Sequence, residues 1–491
     1  MKLIVSYPFI CSLFLFLLAG CASPNPKVDD DFQADWVATQ YPAEAYLLTT
    51  APQAFAQRLA LIQQAQLSID ITYFSWNGDT LGLMLLDELK QAADRGVQVR
   101  IALDDLLVFN EKWLADIATH DNIQIHIFNP FSSRRSSWIG RAMDFSIHQA
   151  ALDNRLHEKY FNVDHQFIIL GGRNIGDEYF GYSQVANFYD MDVLFKGDLI
   201  EAFASNYERL WGSSLLTPIA QLISVEQNGL YKNFTKAYQK AQSKNVDIIA
   251  DIKTTLATMP SPDYIAVQVT PVFDSLEKLN DSLPYFRSRA ENIIEQALLD
   301  AQKVLISTPY IVPTEGEFKV IEQLTKNGTQ VCLITNSSAS NDSLFVPAYY
   351  QMHRETLLDM GVNIKEFKDQ AKNSDHFYHV DTYYHNKTII LDDEISYIGS
   401  SNFDPRSDFI NIEFGLFVYS KTFAQQVQDY LLKNKLQLYW QVSRTQSGQK
   451  QWLSIDEITL KEERSTSEPN YGGWHQLPDW IFRAINGESE L

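Results

Sequence analysis

Three scarcities narrow what this chain of 491 residues can be. It holds only three cysteines, and two of them, Cys11 and Cys21, lie within or at the end of an N-terminal apolar run. Cys332 is left alone in the body of the chain, which excludes a disulfide framework and a cysteine-built zinc site there. Its setting, Val331-Cys332-Leu333-Ile334, reads as a buried strand in which the thiol acts as a small hydrophobe. Basic residues are also few: 40 Lys and Arg stand against 61 Asp and Glu, a net charge of −21. Binding to nucleic acid depends on neutralising phosphates with Lys and Arg, so a nucleic-acid partner is not expected. Long apolar segments are the third lack. Beyond the N-terminus no run approaches the roughly 20 residues that a bilayer span requires.

What is present is a duplicated pattern. The first copy runs His157-Glu158-Lys159, four residues, Asp164, six residues, then Gly171-Gly172-Arg173-Asn174. The second runs His385-Asn386-Lys387, four residues, Asp392, six residues, then Gly399-Ser400-Ser401-Asn402. Every interval matches, and the two histidines stand 228 positions apart. A lone His-x-Lys carries no information. Two copies at one spacing describe two half-sites that can meet in a symmetric centre.

The repeat reaches beyond the motifs. Leu67 to Phe74 and Lys303 to Tyr310 both read as buried strands, each preceded by a helical pattern, Phe55 to Gln66 and Arg287 to Gln302. Amphipathic helices follow at Leu83 to Arg95 and Glu317 to Asn327, stopped by Gly96 and Gly328. Apolar strands come next, Val97 to Leu103 and Thr329 to Thr335. Around the motifs, Tyr160 to Val163 matches Thr388 to Leu391, and Phe167 to Leu170 matches Ile395 to Ile398. Strand–helix–strand alternation predicts an α/β fold in two copies, each a mixed, mainly buried sheet flanked by helices. The expected division is a signal segment over 1–20, a linker over 21–45, domains over 46–214 and 263–442, a helical connector over 215–262, and a tail over 443–491. Within that tail, Ser443 to Lys450 reads as a polar linker. Tyr471 to His475 and Trp480 to Ile485 carry aromatics suited to a terminal helix or a membrane interface.

On these residues the chain resembles the phospholipase D superfamily. The wording Arg155-Leu156-His157-Glu158-Lys159, with Gly171-Gly172-Arg173-Asn174-Ile175-Gly176-Asp177-Glu178-Tyr179-Phe180-Gly181, is most similar to bacterial cardiolipin synthases of the C-type branch. Gly399-Ser400-Ser401-Asn402-Phe403-Asp404-Pro405-Arg406-Ser407 agrees with that. The likeness spans roughly Tyr46 to Gln441 and implies two pseudo-symmetric phospholipase D-like domains with the active site at their interface. It implies a phosphatidyltransferase that makes cardiolipin by passing a phosphatidyl group through a phosphohistidine to phosphatidylglycerol, with phosphatidylethanolamine, or else a second phosphatidylglycerol, as donor. A phospholipase D that releases the group to water is the alternative, followed by a nuclease-type phosphodiesterase and a lipid-binding lipoprotein without activity.

The residue types suit that chemistry. A phosphodiester is anionic, so Lys159 and Lys387 supply charge, while Asn174 and Asn402 act as oriented donors to non-bridging oxygens. The family mechanism puts the nucleophile at His157 and the acid/base at His385, and no cofactor or metal is expected. An acceptor on the far ring nitrogen would orient each histidine, and Asp192 and Glu413 are the candidates. Asp164 and Asp392 complete the catalytic constellation, with a bracing role in their turns as the expected contribution. His376, His379 and Asp381 have a spacing that could suggest zinc, but they read as a polar loop. Arg134, Arg135 and Arg141 form a basic segment suited to anionic head groups.

The N-terminus reads as a targeting segment. Lys2 precedes an apolar stretch that ends in Leu18-Ala19-Gly20-Cys21, a small-residue boundary that resembles the bacterial lipobox. That likeness implies lipid on Cys21 and anchoring on the periplasmic side, with Ala22 favouring the outer over the inner membrane.

Overall fold

A computed structural model describes residues 32–472, save 107, 109–110, 132–152, 227–228, 344–345, 434 and 457–460. Cys21, the Arg134–Arg135–Arg141 segment and Trp480 to Ile485 therefore lie outside the described residues. The first half contributes β1 (Tyr41–Leu48), β2 (Ser68–Tyr73), β3 (Gln98–Asp104), β4 (Ile123–Phe128), β5 (Tyr160–Val163), β6 (Phe167–Gly171), β7 (Ala186–Tyr189), β8 (Asp192–Gly197) and β9 (Leu216–Pro218). The second contributes β10 (Ile265–Phe273), β11 (Lys303–Ser307), β12 (Gln330–Asn336), β13 (Asn363–Phe367), β14 (Asp381–Tyr384), β15 (Thr388–Leu391), β16 (Ile395–Gly399) and β17 (Phe414–Tyr419). Beyond it come β18 (Tyr439–Arg444), β19 (Lys450–Ile455) and β20 (Glu462–Ser465).

Eighteen of these strands form one continuous sheet. In the first half the pairings run β9-β4-β3-β2-β5-β6-β8-β1. In the second they run β10-β17-β16-β15-β11-β12-β13-β18-β19-β20. The two series are mirror sequences of one order, joined where β1 pairs antiparallel with β10. Across that seam Tyr41 faces Val269, Ala43 faces Val267 and Ala45 faces Ile265. The pairing of β8 with β1 and of β17 with β10 makes Ala43 and Val267 equivalent positions, so the pseudo-two-fold axis runs between them.

Local chemistry explains the flanking helices. Asp79 caps the helix Thr80–Asp94 by accepting from the Gly82 amide at 3.0 Å, and Thr314 with Glu317 forms a reciprocal capping box at the helix Glu315–Lys326. Gly96 and Gly328 follow those helices at φ +101° and +87°, a left-handed conformation that a side chain would strain. The expected connector holds the helices Ile219–Leu222, Lys232–Lys244 and Val246–Thr258, and its first residues add β9 to the edge strand β4.

Two expectations at the ends need correction. β1 begins at Tyr41, inside what reads as linker. Ser443 to Lys450 is no linker: it closes the β18–β19 hairpin, with Gly448 in the turn at φ +82°. Polar turn residues masked the alternation that follows. Trp452 in β19 is buried, donates to Glu366 at 2.8 Å and lies under the Arg354 guanidinium, so the hairpin belongs to the second core. Among the described residues no helix is long and apolar enough to cross a membrane.

Candidate active site

Each motif histidine sits where its own half touches the other. Leu156 bridges Ile412 in parallel, and the His157 amide donates to the Ile412 carbonyl at 3.0 Å. The pseudo-symmetric counterpart is the parallel pair β7–β14, after which the His385 amide donates to the Tyr189 carbonyl at 2.9 Å. These main-chain contacts set each histidine beside a carboxylate of the opposite half. His157 Nδ1 lies 2.9 and 3.0 Å from the two oxygens of Glu413, and His385 Nδ1 lies 2.7 Å from Asp190 Oδ2. With Nδ1 donating to the acid, Nε2 of each ring is the nitrogen not used by the carboxylate, and on His385 it lies 3.2 Å from Lys387 Nζ.

Asp190 replaces Asp192, the expected partner. Asp192 opens β8, faces Gly171 across the ladder, and pairs with Arg58 at 2.9 Å and Arg173 at 3.5 Å in a buried ionic cluster. The repeat contains the signal that identifies Asp190. Asp192 faces Gly171 as Gly415 faces Gly399, so the residue two before each, Asp190 and Glu413, are equivalents.

The two carboxylates are held differently. A side chain at Gly172 would collide with Asp190, so only glycine lets this short acid come close. At the matching place Ser400 donates its hydroxyl to the longer Glu413, with Ser407 Oγ at 3.2 Å. Ser400 escaped the sequence reading because glycine occupies the equivalent position in the first copy.

Lys159 and Lys387 are buried and donate to the carbonyls of His157 and His385 at 2.6 and 2.7 Å. Burial pushes Lys159 down to about 7 and Lys387 down to about 8, against the pull of Glu413 and Asp190. Burial likewise takes both histidines down to about 4, with the lysine charges adding to the effect and the paired acids opposing it. Burial would raise Glu413, but the charge and hydrogen bond of His157, with Lys159, outweigh it and bring the group to about 2. The protein groups alone thus favour ionised acids and neutral imidazoles, and a bound phosphate anion would draw protons back onto the rings and lysines.

Asn174 Oδ1 accepts from the Ser75 amide at 3.2 Å, which fixes the turn after β6 against the end of β2. Asn402 occupies the equivalent turn, and its Oδ1 is buried without a hydrogen-bond partner among the described residues. Asp164 and Asp392, counted with the catalytic constellation but expected to brace their turns, serve backbone amides at strand starts. Asp164 accepts from the amides of Gln66, Leu67 and Ser68 at 2.8–2.9 Å. Asp392 does the same for Gln302 and Lys303 at 2.8 and 2.7 Å. Each therefore ties its motif to the start of the neighbouring strand. His376 accepts from Asn373 Nδ2 at 3.2 Å, and no His, Cys, Asp or Glu cluster among the described residues is placed to hold a metal ion.

Two half-sites that interlock about a pseudo-two-fold axis, with paired imidazoles and lysines, define an enzyme of the phospholipase D superfamily. The family model described as cardiolipin synthase, PLD-like domain matches residues 59–211 and 292–434. The chain belongs to this cardiolipin synthase-like family of phospholipase D enzymes. It is 30% identical over 454 residues to cardiolipin synthase C of Escherichia coli, covering 88% of this chain and 94% of that protein. Cardiolipin synthase 2 of Staphylococcus epidermidis is 24% identical over 79% of this chain and 68% of its own. In fold, the chain resembles the crystal structure of phosphatidylserine synthase from Haemophilus influenzae, with TM-score 0.58 and 16% identity over 91% and 94% of the two chains.

Asp190 and Asp192 can be separated experimentally. Asp190→Asn is expected to leave the melting temperature near that of the wild type and to lower kcat by about 10²–10⁴-fold, because His385 loses its tautomer-fixing acceptor. Asp192→Asn is expected to lower the melting temperature instead, since it strips charge from between Arg58 and Arg173. Equal activity losses in the two variants would contradict this division.

Proposed function

We propose that the chain transfers a phosphatidyl group from one phospholipid, phosphatidylethanolamine in first place, to the glycerol hydroxyl of phosphatidylglycerol, making cardiolipin. The observation that carries this reading is the crossed pairing of His157 with Glu413 and His385 with Asp190 over two buried lysines. His157 Nε2 attacks phosphorus, its Nδ1 proton held by Glu413, and the P–O bond to the leaving alcohol breaks. His385, protonated in the substrate-bound site, gives its proton to that alkoxide. The acceptor hydroxyl then loses its proton to His385 and its oxygen displaces His157 from phosphorus. Lys159 and Lys387 neutralise the phosphate oxygens throughout. The likeness to cardiolipin synthase C supports phosphatidylglycerol as acceptor. Release to water would be the same two steps with a smaller acceptor.

The Leu18-Ala19-Gly20-Cys21 boundary supports attachment to the periplasmic face of a bacterial membrane, the outer one favoured, through lipid on Cys21. Such an anchor keeps the enzyme beside substrates that never leave the bilayer.

Purified wild-type protein given isotopically labelled phosphatidylethanolamine and phosphatidylglycerol is expected to yield labelled cardiolipin by mass spectrometry. His157→Ala and His385→Ala should each abolish it, and acid-quenched His385→Ala should carry a phosphatidyl adduct on the His157 peptide. Phosphatidic acid as the sole product would identify a hydrolase.

The rate profile should be a bell displaced towards acid. The attacking histidine is lost as pH falls towards about 4; as pH rises, His385 loses the proton it must carry in the substrate-bound site and the lysines lose charge through about 7 to 8, so the rate should drop on both sides. An alkaline limb near the ordinary lysine value of about 10.4 would show that burial does not shift Lys159 and Lys387.

The anchor has its own test. Mature protein from cells is expected to begin at an acylated Cys21, and Cys21→Ser should retain Met1. An unmodified Met1 in the wild type would overturn the lipoprotein reading.

A further inference from the structure

Two buried charges take no part in the chemistry above. Lys278, at 0% exposure, opens the short helix Lys278–Asp281, and Asp274, at 1%, follows the end of β10. An ammonium has three protons to give, and Lys278 Nζ has three acceptors: the Asp274 carboxylate, with which it pairs, and the carbonyls of Ser407 and Asn411, each at 3.0 Å. Saturated in this way, Lys278 has no donor left for a substrate phosphate.

These contacts converge on the segment that carries Glu413. Asp274 Oδ2 accepts from the Glu413 amide at 3.2 Å, and the Asp274 amide donates to the Glu413 carbonyl at 3.1 Å. Ser407 and Asn411, whose carbonyls Lys278 holds, also turn their side chains to Glu413 Oε1, at 3.2 and 3.4 Å. Ile412, which receives the His157 amide, lies between Asn411 and Glu413. Two acceptors that the second half offers to His157, the Ile412 carbonyl and the Glu413 carboxylate, thus sit on a segment fixed by one ammonium and one carboxylate. Asp274 is itself anchored from the first half. Arg209 of the helix Leu199–Trp211 donates to its carbonyl at 3.0 Å and to Asn206 Oδ1 at 2.7 Å, and Asn206 donates to Glu158, the residue after His157, at 3.0 Å.

The first half is built otherwise. Leu48 faces Asp192 as Val272 faces Gly415, which makes Thr50 the counterpart of Asp274. Thr50 caps the helix Ala51–Gln64 instead, accepting from the Gln53 amide at 3.3 Å. Asp190 is held by the Tyr430 hydroxyl on its carbonyl at 2.6 Å and by the Met191 amide on Oδ1 at 2.8 Å. A buried ion pair adds little net stability over apolar residues of the same volume. What it supplies here is direction, on the Glu413 side.

We infer that Lys278 and Asp274 are a positioning pair: they hold Glu413 in line with His157 Nδ1 and so support the ring that bonds to phosphorus, while the His385–Asp190 pair is set by other groups. This rests on the transfer reading above for what His157 does, and on the contacts alone for how the ring is held. An acid displaced by a fraction of an ångström would hold the Nδ1 proton poorly and leave Nε2 badly aimed.

Lys278→Met combined with Asp274→Asn removes both charges together, so neither is stranded, and keeps an acceptor for the Glu413 amide. In full-length protein with isotope-labelled histidine, the downfield Nδ1 proton signals are assigned by comparison with His157→Ala and His385→Ala. The double variant should shift or lose the His157 signal and keep that of His385, and kcat should fall by about tenfold to a hundredfold with KM little changed. A His157 signal left in place overturns the inference, as do equal changes in both signals or a shift with kcat intact. Should the double variant fail to fold, Asp274→Asn alone is read by the same two signals. The signals need no substrate, so the two readings can fail separately. Cardiolipin from the wild type, with the His157 signal unmoved in the variant, removes the pair and leaves the proposed function standing. Phosphatidic acid as the sole wild-type product, with only the His157 signal displaced in the variant and its turnover lowered, keeps the pair and removes the proposed function.

Discussion

Two buried imidazole–carboxylate pairs cross the seam between the halves in opposite directions, His157 to Glu413 and His385 to Asp190. Neither half could keep its own charges satisfied alone. A buried charge left without its partner costs about 3–5 kcal/mol, so deleting either imidazole while the seam stays closed strands a buried carboxylate. The parallel contacts Leu156–Ile412 and β7–β14 exist to bring those side chains together, and both are main-chain interactions that tolerate little displacement. The chemistry and the association of the halves are thereby one constraint. Anything that loosens the seam also releases the histidines.

The α/β repeat was legible because its signals are local and occur twice. Gly96 and Gly328 end helices at equivalent places, and the motif spacing survives intact between the copies. Other features were harder to read because they depend on pairing across the chain. Asp190 and Asp192 are both acids in one strand entry, and only the ladder partners, Gly171 and Gly399, tell them apart. The β18–β19 hairpin hides behind a polar turn, and what makes it structure is Trp452 reaching Glu366, a contact that no local pattern announces. Asp164 and Asp392 share the spacing of the catalytic residues, yet their constancy of position serves backbone amides at a strand start. A fixed interval shows that a residue matters without showing what it touches.

Pseudo-symmetry also makes the departures from it informative. Gly172 admits a short acid and Ser400 supports a long one, so the two imidazoles face unlike partners although their backbones are related by rotation. Asn174 Oδ1 is engaged by the Ser75 amide, whereas Asn402 Oδ1 has no hydrogen-bond partner among the described residues. The inequality matters because a perfectly symmetric centre would present a substrate with two equivalent orientations.

The seam itself has a consequence for how such a chain can have arisen. Ala43 opposite Val267, with Tyr41 and Ala45 opposite the equivalents of each other, is the register that two identical edge strands adopt about a rotation axis. A single copy of the fold would present that strand as an open, self-complementary edge, and pairing it with a second copy closes the contact without leaving a further free face. Fusing two copies end to end turns a concentration-dependent dimer into an intramolecular one. It then frees each copy to change independently, which a homodimer cannot do.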